Sequence, residues 1–156
     1  MSNLNIGGVQ AGGNIDIGGV QFTDTKIYTR GDEVSLPSDD TNLEVSFTTQ
    51  EYTDVATEDG TRVSQSSAND NSIFLFKNKH TSQDTITLNI NTRSNIAPSS
   101  SPVYLQIYNR NSTTWETLAS NSTTAANTDF DLQGIKIDSL SDYFDANFWV
   151  SWRVYQ

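Results

Sequence analysis

The 156-residue chain contains no cysteine. Disulfides, thiolate nucleophiles and cysteine metal sites are therefore excluded. Histidine occurs once, as His80, and no serine stands in a G-x-S-x-G elbow, so a Ser-His-Asp arrangement has no marked partners. Positive charge is scarce, with nine Lys and Arg against nineteen Asp and Glu for a net charge of −10. A chain this acidic repels phosphate backbones, which argues against direct nucleic-acid binding. No apolar run approaches the roughly 18 residues of a membrane span. The first residues lack the basic and apolar segments of a signal peptide, so synthesis in the cytoplasm is expected. Apolar residues make up only 35% of the chain.

Seven Phe, six Tyr and three Trp are nevertheless present, which argues for a packed core over disorder. The stretch from Val103 to Leu118 organises the reading. Val103, Leu105 and Ile107 alternate with Tyr104, Gln106 and Tyr108, and a strand's side chains alternate between faces. Asn109-Arg-Asn-Ser-Thr-Thr114 supplies turn formers, and Trp115 and Leu118 begin a return strand, so a central hairpin is expected. Ile86, Leu88 and Ile90 alternate with Thr and Asn. Ile73-Phe-Leu-Phe76 is apolar throughout and reads as a strand buried on both faces. Leu43, Val45 and Phe47 predict a half-buried strand, Lys26–Thr29 a short one, and Thr61–Gln65 another. Phe130 and Leu132 mark one more. In the last strand Phe148, Val150, Trp152 and Val154 share one face; Trp149, Ser151, Arg153 and Tyr155 share the other. Arg30-Gly-Asp32 reads as a turn, and Ser139–Asp145 as one helical turn or a tight loop. No amphipathic helix is expected. The pattern predicts an all-β fold, an antiparallel β-sandwich of jelly-roll type.

Six of the nine glycines fall within the first 21 residues. There Leu4-Asn-Ile-Gly-Gly-Val-Gln10 recurs as Ile15-Asp-Ile-Gly-Gly-Val-Gln21. Two copies are too few for a solenoid. Residues 1–21 are expected to form an extended Gly-rich arm, with Ile6, Val9, Ile17 and Val20 as apolar plugs for a neighbouring surface. Residues 22–156 then form the β domain.

Nine acids lie between Asp32 and Asp59 with no Lys or Arg among them; they read as a solvated face. The carboxylate pairs, such as Asp39-Asp40 and Asp129/Asp131, read as turn formers. No catalytic residue, metal site or cofactor is assigned. Tyr104, Tyr108, Trp149 and Tyr155 are expected on the outer face. There they can anchor a subunit interface, stack on sugar rings, or lie under a long loop.

Ala97-Pro-Ser-Ser-Ser, Val103-Tyr-Leu-Gln-Ile-Tyr-Asn109, Trp115-Glu-Thr-Leu118, Asp142-Tyr-Phe-Asp145 and Trp149-Val-Ser-Trp-Arg-Val-Tyr155 carry a resemblance. Over residues 45 to 156 the chain resembles a β-sandwich domain recurrent in structural proteins of bacteriophages and related viruses. The resemblance implies a non-enzymatic virion role in capsid decoration, a minor capsid position, or a tail or fibre. It implies partners that are other copies of the chain or a capsid or tail protein, and a location in the virion; no membrane partner is expected, because no apolar run is long enough. A carbohydrate-binding module using the outer-face aromatics, with a glycan partner, is the alternative.

Overall fold

The computed structural model describes residues 4–6, 9–12, 25–56, 59–68 and 71–156, the first two stretches as backbone. Its strands are β1 (Leu4–Ile6), β2 (Val9–Gly12), β3 (Lys26–Glu33), β4 (Val45–Ser46), β5 (Asn71–Lys79), β6 (Ile86–Thr92), β7 (Val103–Asn109), β8 (Thr114–Asn121), β9 (Phe130–Lys136) and β10 (Trp149–Tyr155). They form two antiparallel sheets, one ordered β1-β2-β6-β9 and the other β4-β3-β5-β10-β7-β8. The fold is all-β. Among the described residues, helix is limited to α1 (Thr49–Asp54) and a 3-10 turn at Leu140–Asp142.

The pairing from β5 onward is nested. β7 pairs with β8, β6 with β9, and β5 with β10. The second half of the chain is thus one long hairpin folded on itself, its middle pair forming one layer and its tip and base the other. Thr87, Asn89 and Asn91 stand opposite Ile135, Gln133 and Asp131 on one face of the β6–β9 pair. The intervening Ile86, Leu88 and Ile90 are buried. They pack with Val103, Leu105, Ile107, Val150, Trp152 and Val154 of the facing sheet.

Three central strands share a polar lock within this core. Asn78 Nδ2 donates to Tyr28 Oη at 2.9 Å, and Trp152 Nε1 donates to Asn78 Oδ1 at 2.9 Å. Phe76 stacks on Trp152 with centroids 4.1 Å apart. The asparagine's amide is satisfied in both senses, as a buried polar group requires. α1 closes the end of the core beside β3. Thr48 and Glu51 form a capping box, and Tyr52 Oη accepts from the Tyr28 backbone N–H at 2.8 Å.

The two sheets are also joined at the β8–β9 seam. Glu116 Oε2 accepts from Tyr143 Oη at 2.8 Å and lies 3.2 Å from Lys136 Nζ. Its Oε1 accepts from Asn109 Nδ2 at 2.6 Å. Gly134 is required here, because a Cβ on it would meet Leu118 Cβ at 2.6 Å.

Several expectations are corrected. Arg30-Gly-Asp32 lies inside β3, paired to Phe74, Ile73 and Ser72, and is no turn; the Glu44 side chain crosses Gly31 where a Cβ would stand. The Val103–Leu118 hairpin is not central, since β8 is an edge strand and the sheet's middle is β5–β10. The strand expected around Val45 is two residues long, with Val45 exposed and Phe47 buried. Thr61–Gln65 forms no strand. Phe148 precedes β10 with φ 64° and is 38% exposed. That left-handed residue breaks the alternation and takes its side chain off the core face.

Leu88→Ala and Leu105→Ala should each destabilise by about 2–5 kcal/mol in chemical denaturation, because both side chains fill closed core sites. A pH dependence follows from the seam. Burial pushes the Glu116 carboxyl up, but hydrogen bonds from Tyr143, Asn109 and Lys136 outweigh it and hold the group below its ordinary 4.5. A carboxyl depressed in the folded state contributes stability above its unfolded value, and that contribution is lost as pH falls through the folded value. Glu116→Gln should therefore lower Tm at neutral pH, and melting curves should converge with wild type well below 4.5.

Candidate functional site

The four aromatics expected outside do not form one platform. Tyr104 and Tyr155 are directly paired on β7 and β10, and their half-buried rings stack with centroids 5.2 Å apart. Tyr108 is buried against Trp115 at 5.0 Å. Trp149 is half-buried at the far end of β10, where its backbone N–H donates to Asp145 Oδ1 at 2.9 Å. Of the arm residues, Ile6 lies in β1 and Val9 in β2 as backbone, and β2 pairs with β6 through Gln10, Ala11 and Gly12. Ile17 and Val20 lie outside the described residues.

Arg153 links the aromatic pairs. Its guanidinium sits 4.2 Å from the Trp115 ring centroid and 5.3 Å from that of Tyr155. It is 4% exposed. Nε donates to Gln106 Oε1 at 2.8 Å and Nη1 to the Pro37 carbonyl at 2.7 Å. Burial pushes its pKa down to about 10, which leaves it charged at neutral pH. Cation–π contact and carbonyl oxygens together replace water around it.

The Pro37 contact belongs to a strap formed by residues 34–43. Trp115 Nε1 donates to the Asp39 carbonyl at 3.3 Å. Asp40 Oδ2 accepts from Arg110 Nη2 at 3.0 Å and from Ser151 Oγ at 2.5 Å. The Leu43 N–H donates to Thr29 Oγ1 at 3.0 Å. The strap covers the middle of the outer face, where Ile73, Leu75, Thr29 and Ser151 are all buried. Of the three readings of the outer aromatics, the long loop describes Tyr108 and its surroundings. Tyr104 and Tyr155 remain half-buried beside it.

A second feature is a cleft of about 570 Å³ between the sheets. Phe74, Phe76, Ile90, Val103 and Val154 line it on the apolar side. Its rim carries Arg62 and Arg93, both drawn to Asp129 at 3.0 and 3.8 Å. Arg62 also donates to Asn91 Oδ1 at 2.5 Å. Among the described residues lining the cleft there is no histidine, lysine or acidic side chain. The walls offer hydroxyls and amides for hydrogen bonding but no acid–base pair. Hydropathy does not mark this cleft, because its rim comes from unpatterned polar segments. One available signal was Arg62, the sole basic residue between Arg30 and Lys77.

His80 is largely enclosed, edge-on to Phe144 at 5.3 Å and 4.0 Å from Asp84. The chain matches no family model, no curated protein and no solved structure.

Arg153→Met keeps most of the side-chain volume but removes two charge-assisted hydrogen bonds. It should cost about 1.5–3 kcal/mol in denaturant unfolding, the scale of a hydrogen bond to a charged group. Amide hydrogen exchange should quicken across 34–43 and leave β5 and β10 protected.

Proposed function

We propose that the chain is a non-enzymatic structural protein of a virus particle, a capsid-decoration, minor capsid, or tail or fibre component that assembles with copies of itself or with a shell. In this reading the two sheets form a β-sandwich of jelly-roll type. The observation that carries it is the nested pairing β5–β10, β6–β9 and β7–β8. A long hairpin rolled into two layers is the jelly-roll plan, used by viral capsid and lectin domains. The resemblance of residues 45 to 156 to phage structural domains supports the same reading. The chain would be made in the host cytoplasm and end in the virion.

The duplicated arm is the assembly element in this proposal. Ile6, Val9, Ile17 and Val20 would seat against neighbours. Each buried side chain supplies roughly 1.5–3 kcal/mol, and many copies acting together gain avidity. Exposed Ile135 and Ile137, at 53% and 72%, offer a further apolar contact beside β9. The stacked Tyr104–Tyr155 pair favours a second reading, a carbohydrate-binding module, because aromatic faces suit sugar rings.

Light scattering and electron microscopy of the full chain and of a variant lacking residues 1–21 test the assembly reading. The full chain should form defined oligomers or join particles. The truncated chain should keep its β circular-dichroism signal and lose that assembly. A full chain that stays monomeric and gives signal on a glycan array would replace the virion reading with the carbohydrate one.

A further inference from the structure

The seam cluster of Asn109, Glu116, Lys136 and Tyr143 holds the parts of an acyl transfer. The Asn109 residue is 8% exposed. Its Oδ1 accepts from the backbone N–H groups of Asn111 and Ser112, both at 3.0 Å. Two such donors stabilise negative charge as it develops on an attacked carbonyl oxygen. Its Nδ2 donates to Glu116 Oε1 at 2.6 Å. Glu116 Oε2 lies 3.2 Å from Lys136 Nζ and accepts from Tyr143 Oη at 2.8 Å. One carboxylate thus touches both a nucleophilic amine and the amide nitrogen that would leave. Lys136 Nζ also stands 4.7 Å from the centroid of the buried Tyr143 ring.

We infer that Lys136 and Asn109 join in an intramolecular amide, with Glu116 moving the protons. Glu116 Oε2 takes one proton from the lysine ammonium. The free amine attacks Asn109 Cγ, and the carbonyl π electrons move to Oδ1, where the two backbone N–H groups hold them. The Glu116 carboxyl then turns about its Cγ–Cδ bond, bringing the protonated Oε2 to Nδ2, and passes that proton to it. The carbonyl re-forms, the Cγ–Nδ2 bond breaks, and ammonia departs with the second lysine proton as ammonium. The product is a secondary amide. Nothing is oxidised or reduced, and no co-reactant is needed. Holding the amine and the amide on one carboxylate restricts their relative motion and lowers the entropy cost of closure.

The charges set the pace. The Tyr143 hydroxyl and Glu116, against burial, hold the Lys136 ammonium above its ordinary value. Glu116 is held below its own. The first proton transfer is therefore uphill and the ring closure slow. Once closed, the bond ties the end of β7 in one sheet to the end of β9 in the other, independently of the function proposed above.

Intact-mass spectrometry of the purified full chain, after prolonged incubation just below its melting temperature, tests the inference. The expected result is loss of one ammonia from the sequence mass. Tandem spectra of a digest should place that loss in a branched peptide joining Lys136 to Asn109. Lys136→Arg and Glu116→Gln should both remain at the unshifted mass. An unshifted wild-type mass overturns the proposal. So does an ammonia loss confined to Asn109 and its following residue, the mark of a succinimide. The wild-type spectra decide alone if either variant fails to fold.

Discussion

Asn78 fixes the register on which the rest of the sheet depends. It is a polar residue against the core, 5% exposed, with its amide engaged by Tyr28 on β3 and Trp152 on β10. Sliding either neighbour by one residue would turn its apolar set to the wrong face. It would also strand a donor and an acceptor away from water, which costs more than the bonds themselves contribute. The stack of Phe76 on Trp152 reinforces the same alignment. Hydrophobic burial supplies most of the driving force, but it is indifferent to small shifts in register; the amide is not.

The two broad faces are finished differently. One side of the six-stranded sheet is sealed by the chain's own 34–43 strap, through Arg153, Asp40 and Trp115. The exposed side of the β6–β9 pair alternates Thr, Asn, Gln and Asp with Ile135. Large rings that would otherwise invite a partner are largely consumed by internal contacts, Arg153 lying between Trp115 and Tyr155. A surface of this kind suits an assembly protein whose contacts are made at edges and through an added segment, as in the function proposed here.

Much of this architecture is legible in the residues. Period-two alternation marks Ile86–Ile90 and Val103–Ile107, and unbroken apolarity marks Ile73–Phe76 as a strand buried twice. What alternation does not reveal is chain crossing over a face. Ser151 and Arg153 look like surface residues until a strap from more than a hundred positions earlier covers them. Helix α1 has no buried residue of its own, so no apolar stripe announces it; its visible sign is the Thr48-x-x-Glu51 capping box. Arg30-Gly-Asp32 has turn composition, yet long-range pairing with β5 overrides local preference, as it often does in strands. The seam cluster and the inter-sheet cleft depend on residues far apart in sequence and carry no local signature.

The nested pairing has a consequence for how the molecule comes into being. The β7–β8 hairpin closes across a few residues, β6–β9 across several tens, and β5–β10 across still more. Folding should therefore zip outward from the hairpin tip, and the widest closure carries the largest entropy cost and comes last. Trp152, which completes the Asn78 lock, lies on β10, the outer partner of that widest closure. Until β10 docks, β5 is paired only with β3, and Phe76 keeps Tyr28 and Phe47 but lacks its stack on Trp152. The most apolar strand thus waits with one edge open until the widest closure forms, a window in which the chain's strong negative charge keeps copies apart.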